Sequence, residues 1–128
     1  MVITQKQIEA VVALPGPQRY SHFIKVAADQ RRVWGLYREG WALAGTDDGR
    51  PVFPLWPARE YAALCANGAW ASYEAREIDL EELFDGLLPS LRAKQTAVGV
   101  FYTPRDQGVL PELDQFEQDL RTELSRIE

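Results

Sequence analysis

A chain of 128 residues, with 46% hydrophobic, 26% charged and 11% aromatic content, fits one globular domain able to bury a real core. One cysteine excludes an internal disulfide framework and a Cys-based zinc cluster, and one histidine excludes any site needing two imidazoles. The formal net charge of −5 argues against nucleic-acid binding as the main task, because gripping phosphates needs a basic footprint.

The first helix is predicted from an N-cap at Thr4 to Leu14, with Ile8, Val11 and Val12 as its apolar stripe. Pro15-Gly16-Pro17 stops it. After Pro17 a second helix buries Tyr20, Phe23, Ile24, Ala27 and Ala28 at alternating steps of three and four. Arg19, His22, Lys25 and Asp29 fall away from that stripe. Strand patterning follows at residues 33–37 and 41–44, around a tight Glu39-Gly40 hairpin. A two-residue loop pairs Arg38 with Trp41 and Leu36 with Leu43, placing Trp34, Leu36, Trp41 and Leu43 on one face. Asp47-Asp48-Gly49 turns the chain into a third strand, 51–54, whose flanking prolines suit a sheet edge.

Pro57 opens a helix through Tyr61, Leu64 and Cys65 that Asn67-Gly68 ends. A fourth strand covers 73–78, and Asp79 with Glu82 forms a capping box for a helix through Leu83, Phe84, Leu87 and Leu88. Pro89 breaks that helix into two pieces. The apolar run 97–102 is the candidate central strand. Leu113, Phe116, Leu120, Leu124 and Ile127 then recur on one face of a final amphipathic helix, about 110–127. The order α-α-β-β-β-α-β-α-β-α lacks strict β-α-β alternation. It predicts one α+β domain over 1–128, a mainly antiparallel sheet of about five strands with helices packed on it.

Charge is segregated along the chain. Through Arg38 there are six basic side chains against two acidic ones, and acid concentrates in 74–85 and 112–128. Solvated faces explain such blocks; the sharper alternative is oppositely charged faces that meet partners, or each other across a dimer. No stretch approaches the ~18–20 apolar residues of a membrane span. The opening residues lack the build of a signal peptide. With a single cysteine that suits a reducing compartment, the expected location is cytoplasmic.

Chemistry-bearing motifs are scarce. Nucleophile elbow, phosphate loop and dinucleotide fingerprint are all missing, and no metal or cofactor is implied. His22 reads as a surface histidine and Cys65 as a small buried hydrophobe. Glu77, Asp79, Glu81 and Glu82 read as capping and a solvated helix start, without the glycine of a calcium loop. An enzymatic reading requires Cys65 and His22, or two carboxylates, to converge in a cleft. The tryptophans are more telling: Trp34, Trp41, Trp56 and Trp70 lie close together in sequence, with Arg32, Arg38 and Arg59 as cationic neighbours. They are core, or they are a pocket or an interface anchor. Phe53-Pro54-Leu55-Trp56-Pro57 holds two of the large side chains in a restricted, extended connection.

Arg19-Tyr20-Ser21-His22-Phe23-Ile24-Lys25, Val33-Trp34-Gly35-Leu36, Gly40-Trp41-Ala42-Leu43, Phe53-Pro54-Leu55-Trp56-Pro57 and Glu60-Tyr61-Ala62 occur in that order. Together they resemble an uncharacterised bacterial family, domain of unknown function 2750, over about 18–103. The first and last helices lie outside the likeness. The resemblance implies a small, intracellular, stand-alone bacterial domain and carries no catalytic residue. Its matched residues Lys25, Trp34, Trp41, Trp56 and Glu60 are the candidate binding positions, the polar two foremost because packing does not require them. The leading expectation is a non-enzymatic module that binds another protein, adaptor-like or immunity-like, with acidic surface steering a basic partner. The alternative is a small-molecule domain with a tryptophan-lined pocket ordered by Lys25, Arg38 or Glu60. A homodimer through the final helix is left open, and neither nucleic acid nor membrane is an expected partner.

Overall fold

The computed structural model describes residues 3–127. Helices α1 (Gln5–Val12) and α2 (Gly16–Gln30) lead into β1 (Arg32–Tyr37), β2 (Ala44–Gly45) and β3 (Pro51–Leu55). There follow α3 (Arg59–Leu64), a 3-10 turn (Gly68–Trp70), β4 (Glu74–Asp79), α4 (Leu80–Glu82), α5 (Leu88–Ala93), β5 (Ala97–Val100) and α6 (Leu113–Ile127). The class is α+β with five strands, in the order the sequence predicts.

Local chemistry explains the ends of several elements. The Thr4 hydroxyl accepts from the Gln7 amide and caps α1, and the Asp79 carboxylate accepts from the Glu82 amide at 2.8 Å and caps α4. Between α4 and α5 the turn Leu83–Leu87 widens, and the Leu88 amide reaches back five residues to the Leu83 carbonyl. Pro89 is the cause. It has no N–H to give, and its ring crowds the carbonyl four residues back, so the coil loosens ahead of the proline rather than breaking at it.

The sheet departs from prediction in its pairing. β1 pairs antiparallel with β4, Arg32 opposite Asp79 and Tyr37 opposite Glu74. The segment after the hairpin only touches β1: Tyr37 bridges Trp41, the Ala42 amide donates to the Leu36 carbonyl, and Glu39 takes the left-handed turn conformation at φ 56°. The loop therefore holds three residues, not two. That one-residue slip reverses the faces beyond it, so Ala42 is buried and Leu43 is 54% exposed rather than sharing the face of Leu36.

β3 is also not an edge. It pairs antiparallel with β2 at one end and parallel with β5 along its length, and Trp56 just beyond it exchanges two 2.8 Å hydrogen bonds with Trp34 of β1. Pro54 is tolerated because alternate residues face opposite neighbours. The Leu55 carbonyl serves the Phe101 amide, whereas Pro54 shares the side of Trp56, past the end of β2, where no ladder bond is lost. β5 is shorter than predicted and lies at the border of its three-stranded sheet, beside a single bridge from Val100 to Val109. Phe101, at φ 65°, ends it.

The Trp34–Trp56 bridge joins the two small sheets, and side chains of α1, α2, α3, α5 and α6 share one buried core with their strands. Phe23, Trp56, Phe101, Phe116, Leu83 and Leu120 are fully enclosed. The apolar stripe of α6 packs on α2 of its own chain, with Phe23 and Phe116 rings 5.8 Å apart and the Tyr20 hydroxyl donating to Asp119 at 2.6 Å. Sequence-distant charge blocks meet inside the molecule too. Arg32 pairs with Glu77 at 2.8 Å across β1 and β4, and Arg92 of α5 pairs with Asp114 and Glu117 of α6.

Candidate functional site

The candidate residues separate into core and surface. Trp56 belongs to the core: it is fully buried, its indole N–H donates to the Tyr102 carbonyl at 2.9 Å, and its ring meets Trp70 edge-on at 6.1 Å. It plugs the joint between sheet and α3, the structural one of its two sequence readings. Lys25 stands exposed on α2 and shares a surface depression with Asp119 and Glu123 of α6 that no tryptophan lines.

Trp34 and Glu60 do come together. They line an open groove of about 350 Å³ between α2, β1 and the start of α3. Val26 and Pro57 supply apolar wall, Arg32 closes one side, and the Arg59 guanidinium lies 5.3 Å over the Trp34 ring. The extended Pro57-Ala58 connection sets this geometry, because it delivers Arg59 and Glu60 on the first turn of α3 directly opposite β1.

Trp41 builds a second feature on another surface. Its ring packs on Tyr37 at 5.1 Å and Phe53 at 5.7 Å, and Arg76 from β4 stacks 4.3 Å over Tyr37. Gly35 permits this. A Cβ there would stand 2.9 Å from the Trp41 ring, too close for any side chain. Leu43 is exposed in the same segment. Sequence reading misses Arg76, whose only signal is its register opposite Gly35 once β1 and β4 are paired.

His22 and Cys65 differ in what they retain. His22 is half-buried rather than on the surface, edge-on to Tyr61 and tilted against Phe101, both at 6.3 Å. Burial first, and then the Lys25 charge, hold it below the ordinary imidazole range. Cys65 is buried and its Sγ donates to the Tyr102 carbonyl at 3.4 Å. Burial pushes the thiol up to about 11, outweighing the downward effect of Trp56, so it stays protonated and unreactive. The Tyr61 hydroxyl is buried without a hydrogen-bond partner among the described residues. Among those residues no group of three His, Cys, Asp or Glu side chains is placed to hold a metal ion.

Arg19 is the largest departure from the amphipathic reading of α2. It is 3% exposed, and its guanidinium donates to the carbonyls of Leu14 at 2.8 Å, Phe101 at 3.3 Å and Gln107 at 3.4 Å. It ties the loop after β5 to the turn between α1 and α2.

A family model described as "Protein of unknown function (DUF2750)" matches residues 20–120, so the chain belongs to that family. The match leaves α1 outside but runs beyond Thr103 into α6, further than the tryptophan and proline pattern alone reaches. No curated protein and no solved structure matches the chain. No helix among the described residues is long and apolar enough to cross a membrane.

Proposed function

We propose that this protein is a non-enzymatic, cytoplasmic bacterial module that docks another protein, in the manner of small adaptors or immunity proteins. The observation that supports this reading is the patch of Tyr37, Trp41 and Arg76 beside exposed Leu43. Half-buried aromatics stacked by arginine, held on a paired strand and bordered by an exposed leucine, are the composition of interface anchors. Acidic Glu74 opposite Tyr37, with Asp79, Glu81 and Glu82 further along, gives a basic partner an approach path. A single ligand pocket shared by the tryptophans is less well supported, because Trp56 is sealed in the core and Trp41 and Trp34 pack with different arginines.

The test places a photo-crosslinking amino acid at position 43, in cells of the organism that makes the protein. A matched control carries it at position 118, on the exposed face of α6. The expected result is one protein adduct specific to position 43 and lost with Arg76→Glu at unchanged melting temperature. Equal adducts from both positions, or an adduct indifferent to Arg76→Glu, overturn the reading.

A further inference from the structure

The groove between α2, β1 and α3 shares no side chain with the Trp41 patch, and its chemistry is of a different kind. Its Glu60 carboxylate makes no hydrogen bond or ion pair among the described residues, although it is half-buried. Beside it, Arg59 stacks on Trp34 and also has no carboxylate partner. Across the groove Arg32 spends one nitrogen on Glu77 at 2.8 Å, leaving the rest of its planar fork. The lining thus includes one unpaired anion and two cations, with Ile3, Val26 and Pro57 as apolar surface and Gln30 as a neutral polar group.

That pattern selects by sign. A simple cation would meet Arg59 and Arg32 as well as Glu60, and a dianion would meet Glu60. A ligand carrying both charges a few ångströms apart answers all three groups. A volume of about 350 Å³ stands at the small end of ligand sites, the scale of one amino acid rather than of a nucleotide. We infer that this groove binds a free α-amino acid. Its carboxylate is received by the Arg59 guanidinium with Arg32 behind it, its ammonium by Glu60, and its side chain lies along Trp34, Val26 and Pro57. Arg59 is well suited because its guanidinium, 5.3 Å over the Trp34 ring, makes no hydrogen bond or ion pair among the described residues and keeps its N–H groups free to donate. The inference stands apart from the protein-docking reading, since the two use different faces and different residues.

The test is a titration of the full chain with each proteinogenic L-amino acid, read by calorimetry and by the indole N–H resonances in NMR. At least one apolar or aromatic amino acid is expected to saturate, moving the Trp34 resonance and leaving that of buried Trp56 in place. Arg59→Gln and Glu60→Gln, both on the first turn of α3, should each weaken binding about tenfold or more, the effect of losing one charge-assisted hydrogen bond. N-acetylation or amidation of the same ligand should weaken it similarly. Failure of every amino acid to saturate below about 10 mM, an affinity too weak to be specific, overturns the inference. So does binding that survives both substitutions in variants with unchanged melting temperature, or binding that ignores acetylation and amidation.

Discussion

Arg19→Met removes the guanidinium that holds the loop after β5 while keeping most of the aliphatic stem in place. The 2.8 Å bond to the Leu14 carbonyl is short and charge-assisted, contributing about 1.5–3 kcal/mol. The bonds to Phe101 and Gln107, at 3.3 and 3.4 Å, are long and contribute about 0.5–1 kcal/mol each. Asp106 lies 3.6 Å away, but it is 62% exposed and screened by water, so its pairing adds little. Relieving a buried charge returns part of the loss. The net expectation is a destabilisation of about 3 kcal/mol, a large share of the ~5–15 kcal/mol typical of a domain. Urea unfolding followed by tryptophan fluorescence should show a lower midpoint at unchanged slope, and heating should lower the melting temperature by roughly 10 °C. Arg19→Lys should recover little, because one ammonium cannot span three carbonyls on separate segments. Amide exchange at Thr103 and Val109 should quicken in both variants, since their amides belong to the same loop. A methionine variant within about 0.5 kcal/mol of the parent would refute this account and make the buried arginine a passive filler.

Three other outcomes follow from single groups. Tyr61→Phe deletes a buried hydroxyl that lacks a partner, so it should be neutral or stabilising by up to about 1 kcal/mol in urea unfolding; a clear loss would mean the hydroxyl is satisfied. His22 is held below its ordinary value of 6.5, so the unfolded chain takes up the proton first as pH falls. Stability should therefore drop on acidification through about pH 6.5, and His22→Gln should flatten that part of a melting-temperature profile. Cys65, raised to about 11 from 9.0, should react slowly with a thiol reagent at pH 8 in the native state and rapidly in denaturant. Between those two values the unfolded thiol ionises and the folded one does not, so Cys65→Ala should reduce the alkaline loss of stability.

Helices were more legible in the sequence than strand pairing, for a physical reason. The Thr4 and Asp79 caps, the Pro15-Gly16-Pro17 stop and the α6 stripe are local chemistry, decided within one or two turns of chain. Strand partners are decided by what lies far away. β1 has a hairpin neighbour nearby in sequence, yet it takes its ladder from β4, and the hairpin segment contributes a single bridge. The one-residue difference between the expected and actual turn was enough to move Leu43 from core to solvent. Pro54 misleads in the opposite sense. It is an edge residue by rule, but it sits in the middle of a sheet because β2 is too short to need its amide.

The same logic divides the candidate residues. Periodicity places a side chain on a helix face without saying what that face meets, and α2 meets a loop from more than eighty residues away. A charged residue off the apolar stripe is read as solvated, so Arg19 looks like Lys25 in sequence, although one is caged by carbonyls and the other stands in water. The converse holds for the tryptophans. They cluster in sequence because short strands and turns pack them at a joint, and in space they part between the core, the Arg59 groove and the Arg76 patch. Which tryptophan faces outward is fixed by the backbone beneath it. Trp41 lies over Gly35 because no Cβ intervenes, so Gly35→Ala should expel the ring and abolish the patch while leaving Trp56 unchanged.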